Sequence, residues 1–154
     1  MAFNYREGNI DDIEAVFALN RQVFDEAWSK DVMLQSLQVG YDLFVCYQGE
    51  DLLAYVLSQD ILFETQIMQL AVRADVRRQG IAQQLMGMLM QAKHDMDALV
   101  LEVRVSNIGA KAFYQTLGYD PVAIRPNYYA KTGSKPREDA VLMIYKPNSI
   151  GNHD

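Results

Sequence analysis

The sequence predicts one α+β domain of mixed α/β character, a sheet covered by helices. Three observations predict it. Apolar periodicity orders the elements as β-α-α-β-β-β-α-β-α-β-β, with helices and strands alternating only in the second half, which argues against a doubly wound nucleotide fold. One run, Ala98 to Val103, is almost continuously apolar, as expected of a central strand covered on both faces. A chain of 154 residues with 50% hydrophobic and 22% charged side chains can also bury roughly 68–70% of its unfolded surface, enough for a core without staples.

The elements follow in order. Phe3 to Arg6 is a short strand. Asn9 or Asp11 caps a helix running to about Phe24, with Ile13, Val16, Phe17, Leu19 and Val23 on one face. Ser29 is a second N-cap, before a short helix whose buried face is Val32, Met33, Leu34 and Leu37. Tyr41–Tyr47 and Leu52–Leu62 read as a hairpin across the turn Gln48-Gly49-Glu50-Asp51. Thr65 to Val72 is a strand, Arg73 to Gln79 a polar loop, and Gly80 to about Met96 a helix with Leu85, Met88 and Leu89 facing inward. After the strand Ala98–Val103, Asn107 to Leu117 is a short helix closed by Gly118. Tyr119–Ile124 and Ala140–Tyr145 are the last strands, separated by a long loop. A single domain is expected over residues 1–146, with the small, polar, aperiodic 147–154 as a disordered tail.

Composition excludes several classes. Cys46 is the only cysteine, so there is no disulfide framework, and its place in an apolar strand marks it as core. His94 and His153 lie far apart with no ligand spacing, so no metal is expected. The 14 Lys+Arg against 20 Asp+Glu give a net charge of −6, poor for direct nucleic-acid binding and better suited to a basic partner. No apolar run is long enough to span a membrane. The opening MAFNYREGNIDDIE resembles neither a signal nor a transit peptide, so the expected location is the cytoplasm.

The most informative segment is Leu70-Ala71-Val72-Arg73-Ala74-Asp75-Val76-Arg77-Arg78-Gln79-Gly80-Ile81-Ala82-Gln83. A strand ends, a basic loop follows, and a helix opens at a glycine. Helix N-termini offer unpaired N–H groups and partial positive charge, where phosphates bind. Gly80 lets backbone approach a ligand and Ala82 is small enough not to obstruct. Neither GxxxxGK[ST] nor GxGxxG is present, so a P-loop or dinucleotide fold has no support. A surface turn with solvated arginines is the alternative on local physics alone.

Arg77-x-x-Gly80-x-Ala82 resembles the acetyl-CoA signature of the GNAT N-acetyltransferases. Leu101-Glu102-Val103-Arg104-Val105-Ser106-Asn107, Ala112-Phe113-Tyr114-Gln115-Thr116-Leu117-Gly118-Tyr119, Ile124-Arg125-Pro126-Asn127-Tyr128-Tyr129 and Arg137-Glu138-Asp139-Ala140 together resemble the RimI-type ribosomal-protein-alanine N-acetyltransferases, in order and spacing. The resemblance covers about Tyr5 to Ile144. It implies the GNAT acyltransferase fold: a central, mostly antiparallel sheet of about seven strands, splayed where acetyl-CoA inserts, flanked by four helices.

The resemblance also implies roles. Glu102 falls on the family's catalytic base, and a charge interrupting an apolar strand needs a reason; an arginine ion pair or a strand-end position would also supply one. Tyr114 falls on the acid that protonates the leaving thiolate, although its helical spacing also suits a core aromatic. Asn107 matches a pantetheine-contacting Asn and is equally an N-cap. Leu70, Ala71 and Val72 would pair with the acetyl-pantetheine arm, and Arg77, Arg78, Gln79, Gly80, Ile81, Ala82 and Gln83 would hold the pyrophosphate. In the loop between the last strands, Arg125, Tyr128 and Tyr129 would grip an acceptor peptide, or pack on the sheet.

One departure concerns the acceptor. The family usually has Phe-Pro before the Trp-Ser that starts the second helix; here Glu26-Ala27 precedes Trp28-Ser29. Asp25 and Glu26 suit a basic N-terminus, a polyamine or simply solvent. The expected activity is acetyl transfer from acetyl-CoA to the N-terminal α-amine of a basic protein, by resemblance an N-terminal alanine of a small-subunit ribosomal protein. The alternatives are a GNAT enzyme of a small free amine and a non-catalytic acyl-CoA-binding module.

Overall fold

The computed structural model describes residues 2–129, 131 and 136–147. Its strands are β1 Asn4–Glu7, β2 Asp42–Gln48, β3 Asp51–Ile61, β4 Glu64–Val72, β5 Ala98–Arg104, β6 Asp120–Tyr129 and β7 Glu138–Tyr145. They form one seven-stranded sheet in the order β1-β2-β3-β4-β5-β7-β6. The helices are α1 Ile13–Val23, α2 Lys30–Gln38, α3 Ile81–Ala92 and α4 Ile108–Thr116, with 3-10 turns at Ile10–Asp12 and Ala74–Val76. β1 with β2, β2 with β3, β5 with β7 and β6 with β7 are antiparallel, whereas β4 and β5 are parallel. The architecture is therefore α+β with a mixed, mostly antiparallel sheet, as the element order predicts. Among the described residues no helix is long and apolar enough to cross a membrane. Apart from Pro147, the tail expected at 147–154 lies outside the described residues.

Two compact units divide the chain: Met1–Asp60 with Ile67–Ala92, and Ile61–Gln66 with the chain from Lys93 onward. In the first, Val16 and Leu19 of α1 and Met33 of α2 pack with Leu43 and Val45 of β2, Leu52, Tyr55 and Leu57 of β3 and Ala71 of β4. Helical spacing puts the α1 residues on one stripe, and strand alternation delivers the sheet residues to the same core. Asn9 caps the 3-10 turn, in a capping box with Asp12, and α1 begins only at Ile13. Asp12 is occupied as an ion-pair acceptor: Arg6 Nη2 donates to its Oδ1 at 2.7 Å and Tyr47 Oη at 2.8 Å.

Ser29 caps α2 by accepting from Val32 N–H at 3.2 Å. Val32 itself is exposed, contrary to expectation. The buried line of α2 runs instead through Met33 and Ser36, whose hydroxyl is absorbed by Val32 O at 2.8 Å. In α3 the buried face is Ile81, Leu85, Met86 and Leu89, so Met86 takes the place expected of Met88, which is half-buried. The helix stops at Ala92, short of Met96. The polar run after it, Lys93-His94-Asp95-Met96-Asp97, has no apolar stripe to continue the helix.

In the second unit β5 is buried at Ala98, Leu99, Val100, Leu101 and Val103. It pairs with β7 from Leu99↔Tyr145 to Arg104↔Ala140. Glu64–Gln66 of β4 pair with Ala98–Val100. Gly118 closes α4 at φ +101, a conformation open to glycine. Strand β6 corrects one expectation: it continues past Ile124 to Tyr129, so Arg125, Tyr128 and Tyr129 lie on a strand rather than in a loop. The chain reaches this by a bulge. Arg125 pairs with Ala140 and Tyr129 with Glu138, leaving extra residues on β6 and Asn127 at φ +51. β6 is the sheet edge, the place where a strand tolerates Pro126.

Candidate active site

The first unit holds the strand–loop–helix segment. Ala71 of β4 is fully buried, while Leu70 and Val72 are half-buried. After β4 the chain turns through Ala74–Val76, with Val76 buried as an anchor. Arg73 is spent locally: its Nε lies 2.6 Å from Asp75 Oδ1. Arg77 Nε donates to Val72 O at 3.3 Å, tying the loop to the strand end. Arg77, Arg78, Gln79, Gly80 and Gln83 are exposed, and Ile81 is buried beneath them. Arg78 has φ 67 and Gly80 φ 80, so the chain enters α3 through two left-handed turns. Nothing lies within 4 Å of where a Cβ on Gly80 would stand. Its side is open, beside the first N–H groups of α3 and two exposed cations. This donor set suits a phosphorylated, anionic ligand.

The second unit holds the acid–base candidates. Glu102 on β5 is 19% exposed, and its Oε1 lies 3.2 Å from Arg125 Nη1 of β6. Its Oε2 is buried with no hydrogen-bond partner among the described residues. Such an atom carries a desolvation cost that a ligand N–H or a water would relieve. Tyr128 stands next to this carboxylate: burial first, then the hydrogen bond and charge of Glu102, raise its phenol. Arg125 also lies over the Tyr128 ring, 5.6 Å from its centroid. Tyr114, half-buried on α4, has its phenol pushed up to about 12 by burial and by Tyr129. Its ring meets Tyr119 edge-on at 5.9 Å and Phe113 at 5.3 Å. Asn107 does cap α4, its Oδ1 accepting from Ala110 N–H at 3.1 Å.

Residues that sequence reasoning left without a role complete this cluster. Arg104, two positions beyond Glu102 and on the same face of β5, lies 4.3 Å from the Tyr129 ring centroid. Its Nη1 is 3.5 Å from Glu138 Oε1, and Glu138 Oε2 accepts from Ser106 N–H at 3.2 Å. Hydrogen bonding from Ser106, helped by Arg104 and outweighing burial, holds Glu138 below the usual carboxylate range. Asp139 Oδ1 accepts from Asn127 N–H at 2.8 Å. The adjacent acids of Arg137-Glu138-Asp139-Ala140 were the available signal, but their partners come from other strands.

In the first unit, Glu26 is exposed in the turn between α1 and α2. That segment is anchored from below. Asn20 Oδ1 accepts from Trp28 N–H at 2.9 Å, and Asn20 Nδ2 donates to Tyr55 Oη at 3.0 Å and Gln69 Oε1 at 2.9 Å. Cys46 is buried and its thiol is pushed up by that burial, so it is a poor nucleophile. Among the described residues no group of three or more His, Cys, Asp or Glu is placed to hold a metal ion.

Comparison with known proteins adds independent findings. Residues 13–119 match the model of the acetyltransferase (GNAT) family. The [ribosomal protein bS18]-alanine N-acetyltransferase of Escherichia coli (strain K12) is 32% identical over 134 residues, which cover 86% of this chain and 89% of the relative. An N-alpha-acetyltransferase of Saccharolobus solfataricus is 29% identical, covering 92% of this chain and 91% of its own. The crystal structure of the ribosomal-protein-S18-alanine N-acetyltransferase from Escherichia coli superposes with a TM-score of 0.89 and 27% identity, over 99% of each chain.

Proposed function

Because the chain belongs to the acetyltransferase (GNAT) family, we propose that it transfers acetyl from acetyl-CoA to the N-terminal α-amine of a protein, an N-terminal alanine of a small-subunit ribosomal protein. The observation that carries the acid–base part is Glu102, whose Oε2 is buried without a hydrogen-bond partner among the described residues, on a strand that is apolar from Ala98 to Leu101. The acceptor rests on the relatives named as bS18-alanine N-acetyltransferases. The net charge of −6 suits a basic partner of that kind.

Acetyl-CoA, when bound, supplies an acetyl group activated as a thioester. The residues that would hold it are the N–H groups of Gly80 to Gln83 and the side chains of Arg77, Arg78 and Gln79 at the pyrophosphate. Leu70, Ala71 and Val72 would hold the pantetheine arm by backbone pairing, with Asn107 as a side-chain contact. A backbone N–H of Leu70–Val72 would also donate to the acyl oxygen as negative charge develops there.

An α-ammonium group has a pKa of about 7.7–8.0 and is mostly protonated at neutral pH. Glu102 removes that proton, directly or through one water, so that the nitrogen lone pair is free to attack. Arg125, whose Nη1 lies 3.2 Å from Oε1 of Glu102, aims that carboxylate before the acceptor arrives. Tyr128 and Tyr129 grip the peptide through ring faces and hydroxyls, and Glu26 attracts its basic residues. Tyr114 donates to the sulfur as the C–S bond breaks.

Replacing Glu102 by Gln keeps the shape and removes the base. Turnover on an Ala-starting basic peptide should fall about 10²- to 10⁴-fold, with acetyl-CoA binding by calorimetry unchanged. The loss should shrink as pH rises past the α-amine pKa, because deprotonated acceptor needs no base. A variant as active as wild type at pH 7 would remove Glu102 from the mechanism.

A further inference from the structure

We propose that Asp139 is a positioning residue for the acceptor: its carboxylate pins the β6 bulge at Asn127 and so aims Tyr128 and Tyr129 beside Glu102. The inference rests on the acceptor reading above and adds to it a residue that touches neither substrate.

The geometry is a strand fault held open by a side chain. From Ala140 to Glu138, β7 advances two residues while β6 advances four, from Arg125 to Tyr129. The surplus is taken up at Pro126, Asn127 and Tyr128, with Asn127 at φ +51. Left-handed backbone is costly for a non-glycine residue, least so for Asn and Asp, and a bulge leaves an unpaired backbone group. Asp139 answers both, since its Oδ1 takes the Asn127 N–H at 2.8 Å. Its backbone works in the opposite direction, because Asp139 O accepts from Val105 N–H at 3.1 Å. One residue thus ties the bulge of β6 to the chain just after β5.

The neighbouring Glu138 holds the other side. It joins Ser106 N–H to Arg104, whose guanidinium lies over Tyr129. Tyr129 in turn meets Tyr128 edge-on at 5.1 Å, and Tyr128 lies under Arg125, the partner of Glu102. Alternating acids, cations and rings therefore run from Glu138 to Glu102, and the bulge sets the spacing between their ends. Two prolines and an exposed edge strand would otherwise leave this stretch of β6 poorly fixed. Bulges near active sites commonly re-aim side chains in this way.

The test is steady-state kinetics of the whole protein with acetyl-CoA and a basic peptide beginning with alanine. Losing a charge-assisted hydrogen bond predicts that Asp139→Ala raises the KM for the peptide about tenfold or more, with the KM for acetyl-CoA little changed. Asp139→Asn retains an acceptor oxygen and should recover most of the loss. If Asp139→Ala does not fold, Asn127→Val attacks the same bulge from β6. A β-branched residue resists φ +51, so peptide KM should rise, and rise further than in Asn127→Gly, which tolerates that φ.

Equal peptide KM in wild type, Asp139→Ala and Asn127→Val would overturn the inference alone. So would a loss shared equally by both substrates and by thermal stability, which marks a purely structural role. Wild type that leaves every peptide unmodified would overturn the acceptor reading, and this inference with it.

Discussion

At Tyr114 the phenol is pushed up to about 12, first by burial and then by Tyr129. It therefore keeps its proton throughout the neutral range. A thiol of ordinary acidity has a pKa of about 8.5, well below that phenol, so full transfer of the Tyr114 proton to a leaving sulfur is unfavourable. In the proposed mechanism the phenol therefore acts as a hydrogen-bond donor while charge builds on the sulfur. Tyr114→Phe keeps the ring that packs on Tyr119 and removes that donor. Turnover should fall about 10- to 100-fold, with acetyl-CoA affinity within about threefold by titration calorimetry; full turnover would remove the donor role. Glu102 was legible as a lone charge in an apolar strand. Its partner Arg125 was not, because an ion pair between strands depends on register and not on spacing along the chain.

Element by element, what was legible is what is chemically local. Ser29 and Asn107 cap their helices as their residue types predict, each with a side-chain oxygen on a first-turn N–H. Gly118 sits at positive φ after α4. The sequence predicts a strand that ends at Ile124, since Pro126 and Asn127 are turn-forming residues. What carries the strand past them is Asp139 on β7, a partner twelve residues downstream. The approach of the first turn to β2 was equally hidden. A Cβ on Gly8 would stand 2.6 Å from Leu43 Cδ2 and 3.0 Å from Val45 Cγ1, and both side chains are core. Gly8→Ala should lower unfolding free energy by about 1–3 kcal/mol, the usual cost of overpacking. Urea denaturation gives the value, and a change below about 0.5 kcal/mol would mean that the turn yields freely.

On the scale of the whole molecule, periodicity alone orders the strands and helices along the chain. It does not place β7 between β5 and β6, nor show that β4 meets β5 over Glu64–Gln66. Those features depend on which long-range pairings win; the family resemblance implied a splayed, mostly antiparallel sheet but not this strand order or register. The same division applies to function. The turn from Val72 to Gln83, proposed to hold the cofactor, is local in the chain, whereas the residues proposed to read the acceptor come from separate segments of the sequence. The acceptor is tested directly by one measurement. That measurement is acetyl transfer from acetyl-CoA to a basic peptide with a free N-terminal alanine, run beside a panel of polyamines and free amino acids, with mass spectrometry locating the label. The account predicts acetyl on the peptide α-amine and little on the small amines. Label confined to small amines, or none at all with acetyl-CoA bound, would contradict it.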